Sequence, residues 1–125
     1  MEQEKILVLD DSKDFLFLVS SLLKFHKIKV DGASNAEEAL KLAGSTGYSL
    51  IISDYMMDDM NGIEFCRKIR QSASNDKAPM ILITAKNLTP PELEELSSLS
   101  LTYIRKPIMP NELYRKITDI IGRKP

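Results

Sequence analysis

Very little in this sequence could hold it together by covalent or metal chemistry. It has one cysteine, Cys66, so no internal disulfide can form. It has one histidine, His26, so there is no second imidazole to share a metal. Excess charge of one sign is also missing. Eighteen acidic and seventeen basic side chains leave a net charge of -1, which gives no general electrostatic attraction to nucleic acid or an anionic membrane. No stretch has the length of a membrane span or the flanks of a signal peptide, and no repeat, low-complexity tract or linker divides the 125 residues. These absences predict a cytoplasmic protein with no membrane segment and no DNA binding of its own. With 43% hydrophobic and 28% charged residues, the whole chain, 1–125, reads as one globular domain large enough for a single core.

What is present is a five-fold alternation of short apolar runs and helical patterns. Ile6 to Leu9 reads as a strand stopping at Asp10-Asp11, after which Ser12 can cap a helix with Phe15, Leu18, Val19 and Leu22 at helical spacing. Ile28 to Val30 reads as a second strand. Asn35 followed by Glu38 approximates a capping box for a helix carrying Ala39, Leu40 and Ala43, with Gly44 and Gly47 marking its end. Leu50, Ile51 and Ile52 form a continuous apolar run, as expected of a central parallel strand covered on both faces, and the run ends abruptly on Asp54.

Beyond a loop reaching Asn61-Gly62, Ile63, Cys66 and Ile69 lie on one helical stripe. Ser72 to Pro79 is polar and reads as a surface connection. Met80 to Ile83 predicts a fourth strand, ending at Thr84. Thr89-Pro90-Pro91-Glu92 supplies a cap, proline in the first turn and a glutamate at the third position of the next helix. Leu101 to Ile104 predicts a fifth strand, followed by Lys106-Pro107. Pro110 opens a last helix with Leu113, Ile117, Ile120 and Ile121 inward, stopping at Gly122. Arg123-Lys124 reads as a frayed, solvated end. The fold class is therefore α/β: a single doubly wound domain with a five-stranded parallel sheet in the order 2-1-3-4-5 and five helices on both faces.

In such sheets the C-terminal ends of the strands are where ligands and chemistry sit. There this chain places Asp10, Asp11, Asp54, Thr84 and Lys106. Three carboxylates at close range resist joint ionisation unless a cation is present. A hard divalent ion answers this with oxygen ligands, and Mg²⁺ is commonly held by a few carboxylates plus water and a phosphate. Three negative charges against one Mg²⁺ and the Lys106 ammonium balance. A hydroxyl and an ammonium beside a carboxylate and a metal make a phosphoryl-binding site, because positioning and charge neutralisation are most of what phosphoryl transfer requires.

Asp10-Asp11, Asp54, Thr84-Ala85 and Lys106-Pro107 together resemble the signature of the receiver domains of two-component response regulators, the CheY-like family, over essentially the whole chain. The resemblance implies that Asp54 is the phospho-acceptor, taking a phosphoryl group from the histidine of a histidine kinase or histidine phosphotransfer protein. It implies that Asp10, Asp11, Asp54 and the backbone carbonyl of Met56 hold Mg²⁺. Thr84 and Lys106 would bind phosphoryl oxygens, Thr84 and Tyr103 would form the switch, and Lys106-Pro107 would be cis. Such a domain is no enzyme beyond its own phosphorylation and dephosphorylation. It acts on a downstream protein target or a fused output domain, as a monomer or weak homodimer. Asp58, in place of the proline common in the loop after the acceptor, and Leu99-Ser100, in place of Gly-Ala before the fifth strand, depart from the family pattern.

Other classes fail on particular residues. A flavodoxin-type electron carrier needs hydroxyls and backbone donors for an anion after the first strand, where this chain has Asp-Asp-Ser-Lys-Asp. An aspartate-nucleophile phosphohydrolase needs a second acid two residues beyond the nucleophile, and Met56 is no acid or base. The alternative left open is an interaction module that keeps the fold and signals by binding alone. His26 reads as a solvated helix end and Cys66 as helix packing. Met56, Met57 and Met60 suit either an adaptable contact surface or loop filling. Met56 and Lys86 lie where an in-line water would approach the phosphorus, and neither suits a general base, so a long-lived phospho-Asp54 is expected.

Overall fold

The computed structural model describes residues 4–122, so the expectation for Arg123-Lys124 lies outside it. Its elements are β1 (Lys5–Leu9), α1 (Lys13–Phe25), β2 (Lys29–Ala33), α2 (Ala36–Ser45), β3 (Leu50–Asp54), α3 (Gly62–Arg70), β4 (Met80–Thr84), α4 (Pro90–Ser98), β5 (Thr102–Arg105) and α5 (Pro110–Ile121). All strand pairs are parallel and the order is β2-β1-β3-β4-β5.

The period-two alternation of strand side chains divides the core cleanly. Leu7, Leu9, Ile51 and Leu82 face α2, α3 and α4 through Ala39, Phe65, Ile69 and Leu96. Ile6, Val8, Ile52, Ile81 and Ile83 face α1 and α5 through Val19, Leu23, Leu113 and Ile117. The three inner strands therefore read as unbroken apolar runs, since both of their faces are covered.

Four helices begin on a side-chain cap. Ser12, Asn35, Asn61 and Thr89 accept the N–H of Phe15, Glu38, Glu64 and Glu92 respectively, each worth about 1 kcal/mol. At Thr89 the box is complete, with Glu92 accepting the Thr89 N–H. At Asn35 the return bond goes instead to Ser34, whose N–H donates to Glu38. The last helix starts without a side-chain cap and ends on Gly122 at φ 75°.

Some sequence expectations shift. β2 runs over Lys29–Ala33 rather than Ile28–Val30, because an edge strand paired only with β1 can carry Asp31 and Gly32. Gly44 lies within α2, and β5 begins one residue late, at Thr102. On α1 the buried side chains are Val19 and Leu23, while Leu18 is exposed. The 72–79 connection is not merely a surface loop: Asn75 is buried and plugs it, accepting the Tyr48 N–H and donating to the carbonyls of Ala43 and Thr46. His26 is not simply solvated, since its ring stacks on Tyr114 of α5 at 3.6 Å between centroids.

Candidate functional site

Parallel pairing in register brings the strand ends to one edge of the sheet. Leu9 pairs with Ser53, Asp54 with Ile83, and Thr84 with Arg105. The residues that follow β1 and β5 therefore meet Asp54. Carboxylate oxygens of Asp10, Asp11 and Asp54 lie within 4.8 Å of one another. Asp10 is fully buried, and its backbone N–H donates to the Ala33 carbonyl. One of its carboxylate oxygens accepts the Ser12 N–H at 2.8 Å, which ties the acid to the start of α1. The other meets the Lys106 ammonium at 3.2 Å, and the same ammonium stands 3.8 Å from Asp54.

Asp54 titrates above the ordinary carboxylate range. Burial is the main cause and the Asp10 charge adds to it, against the Lys106 ammonium and the backbone N–H groups of Met56 and Tyr55. The donor set is all oxygen, and its spread suits a small hard ion, whose opposite ligands lie about 4.2 Å apart at the usual Mg²⁺ bond length. The residues thus fit the metal that the sequence implied.

Lys106 is placed by its backbone, whose N–H donates to the Thr84 carbonyl at 2.8 Å, and the bond to Pro107 is cis as expected. Thr84 is buried, and its hydroxyl accepts the Lys86 N–H at 3.0 Å. Tyr103 is half-buried and its hydroxyl donates to the Lys86 carbonyl at 3.3 Å. Thr84 and Tyr103 thus grip the same residue of the loop after β4. The Lys86 ammonium is not at the acid pocket. It pairs with Glu92 at 2.8 Å and lies over the Tyr55 ring. Of the three loop methionines, Met57 and Met60 pack against the core and Met56 is 61% exposed.

Sequence reasoning missed several supports of this edge. Asp59 accepts the N–H groups of Ala36 and Glu37, holding the loop after Asp54 against the start of α2. The Tyr55 hydroxyl donates to Glu92. Gly62 is packed so closely that a Cβ there would stand 2.7 Å from the Asp54 carbonyl and 2.4 Å from Leu82. Phe15 lies under the Lys106 ammonium, 4.3 Å from nitrogen to ring centroid. Only Gly62 carried a signal in the sequence, as a glycine opening a helix. The other contacts join residues far apart in the chain.

Residues 6–118 match the family model described as the response regulator receiver domain. The chain belongs to that family. Among curated relatives, this receiver domain is 36% identical to the response regulator ArlR of Staphylococcus aureus over 121 residues, covering 97% of the chain and 54% of ArlR. It is 35% identical to Histidine kinase P4 of Formosa agariphila over 123 residues, covering 98% of the chain and 9% of the kinase. The chain thus spans about half the length of one and about a tenth of the other. Among solved structures, the chemotaxis protein CheY4 of Vibrio cholerae superposes with a TM-score of 0.87 at 28% identity, over 95% of this chain and 99% of CheY4. The fold is therefore that of CheY-like proteins, and the chain is a receiver domain of two-component signalling. No helix among the described residues is long and apolar enough to cross a membrane.

Proposed function

We propose that Asp54 is the phospho-acceptor of this receiver domain and that Asp10, Asp11, Asp54 and the Met56 carbonyl hold Mg²⁺. The observation that carries the reading is the convergence of three carboxylates with the Lys106 ammonium at the end of β3. An Asp54 oxygen attacks the phosphorus of a phosphohistidine. The O–P bond forms as the N–P bond breaks, and the imidazole leaves with the electron pair. Mg²⁺, when bound, supplies charge neutralisation for the phosphoryl oxygens and counters the burial that otherwise favours protonated Asp54. Lys106 takes one phosphoryl oxygen and the Thr84 hydroxyl another, giving up its bond to the Lys86 N–H. That release frees the loop after β4, and Tyr103, which holds the Lys86 carbonyl, follows.

The partner is a histidine kinase or a histidine phosphotransfer protein, and the output is a downstream protein or a fused domain, with residues 1–125 acting as one receiver unit in the cytoplasm. Intact-mass spectrometry after incubation with acetyl phosphate and Mg²⁺ should show one phosphoryl adduct on the wild type and none on Asp54→Asn or without Mg²⁺. No adduct on the wild type would favour an interaction module that works by binding alone. Amide exchange should change around Tyr103 and α5 on phosphorylation, and a change confined to the surroundings of Asp54 would argue against the switch.

A further inference from the structure

Lys106 is the cation of the acid edge, and what holds it there is not charge alone. Its ammonium rests nearer Asp10, at 3.2 Å, than Asp54, at 3.8 Å. Its side chain keeps 24% of its exposure, so a path to solvent is open. The same ammonium lies over the ring of Phe15, 4.3 Å from nitrogen to centroid. The backbone that carries this ring is tied to the acid edge. Phe15 stands in the first turn of α1, its N–H donates to Ser12, and the Ser12 N–H donates in turn to Asp10. The ring also packs against the core formed by α1, α5 and the sheet. One short chain of bonds thus links the acid to the residue whose ring the cation also touches.

The electron-rich face of an aromatic ring attracts a cation without supplying a competing anion. This matters when the pocket changes charge. With a divalent cation among the three carboxylates, the pull of Asp10 on Lys106 is largely spent and the two cations repel. An ammonium held only by the acids would then swing out to water. A ring beneath it retains it while letting it slide from the Asp10 side to the Asp54 side, because the face offers no directional bond to break.

We propose that Phe15 is a positioning residue for phosphoryl transfer, its ring face holding the Lys106 ammonium within reach of the Asp54 phosphoryl group by a cation–π contact. The proposal rests on the reading of Asp54 as acceptor. The test compares wild type with Phe15→Leu, Phe15→Tyr and a series carrying one, two or three ring fluorines at Phe15, which drain the ring face while keeping its shape. Two quantities are read: the ring-current shift of the Lys106 ε-methylene by NMR, with and without Mg²⁺, and the rate of phospho-Asp54 formation from acetyl phosphate at saturating Mg²⁺.

Wild type and Phe15→Tyr should show the ε-methylene shifted upfield and should react alike. In Phe15→Leu the shift should vanish and the rate should fall by about two- to thirtyfold, the range that a contact of this kind spans. The fluorinated chains should slow in step with the number of fluorines. A Phe15→Leu chain that reacts at the wild-type rate would overturn the proposal, and so would fluorinated chains that all react like wild type, since that pattern belongs to packing alone. Wild type that takes no phosphoryl group would overturn the acceptor reading, and the positioning role with it. A wild type that reacts with no ring-current shift at Lys106 would overturn the positioning role alone.

Discussion

The hydroxyl of Tyr55 donates to the carboxylate of Glu92, joining the residue directly after Asp54 to the first turn of α4. Glu92 also accepts from Thr89 and pairs with Lys86, so one carboxylate gathers the loop after β3, the loop after β4 and the start of α4.

These partners set opposite titrations. Hydrogen bonding to Lys86 first, then to Thr89 and Tyr55, pulls Glu92 down to about 2, while burial first and the Glu92 contacts second push Tyr55 up to about 12. A lowered carboxylate contributes stability that is present above its unfolded value of 4.5 and lost as the pH falls toward 2. A raised phenol contributes stability that is present below 10 and lost as the pH rises toward 12. Melting curves across pH should therefore lose part of their acid slope in Glu92→Gln and part of their alkaline slope in Tyr55→Phe. Slopes identical to wild type in both variants would show that the link contributes nothing.

Gly62→Ala should be strongly destabilising. The added methyl meets Leu82 at 2.4 Å, the Asp54 carbonyl at 2.7 Å and the Tyr55 Cα at 3.0 Å, and two of these three are backbone atoms that cannot swing aside. A cost of about 3 kcal/mol and a drop in Tm of roughly 10 °C are expected. Because the displaced backbone carries Asp54, phosphorylation should slow as well. Thermal unfolding and adduct formation check both parts.

Millimolar Mg²⁺ should raise the Tm of the wild type, by as much as about 2.7 kcal/mol of stability at a hundredfold excess over the dissociation constant. Asp11→Ala removes one of the three converging carboxylates, and since Asp11 is exposed it should leave the metal-free Tm little changed while shrinking the Mg²⁺ shift. A wild-type Tm indifferent to Mg²⁺ would argue against the site.

Phospho-Asp54 should be long-lived. The expected in-line approach of a water runs by Met56, which offers it no strong hydrogen bond, and by Lys86, whose ammonium is held outside the acid pocket by Glu92 and the Tyr55 ring, so neither side chain stands ready to orient that water. At saturating Mg²⁺ the double variant Met56→Asn, Lys86→Glu should lose its phosphoryl group faster, by about tenfold, short of the full effect of a positioned general base. Equal rates would show that these two side chains do not govern access.

Local chemistry made much of this molecule legible from its sequence. The caps at Ser12, Asn35 and Thr89 act within a few residues, and apolar runs such as Leu50 to Ile52 record burial on both faces, so the elements and their order along the chain could be read directly. Asp10, Asp11, Asp54 and Lys106 could be brought together because parallel strands point their C-terminal ends the same way. The tertiary structure alone decided what closes around them. Lys106 lies on Phe15, Lys86 turns to Glu92, Asp59 caps α2 and Asn75 accepts the Tyr48 N–H. Apart from Lys86 and Glu92, which are six residues apart, these join residues distant in the chain, and all do so through the reach and rotamer of a polar or aromatic side chain. Periodicity carries no record of such pairs, whereas packing selects one of them.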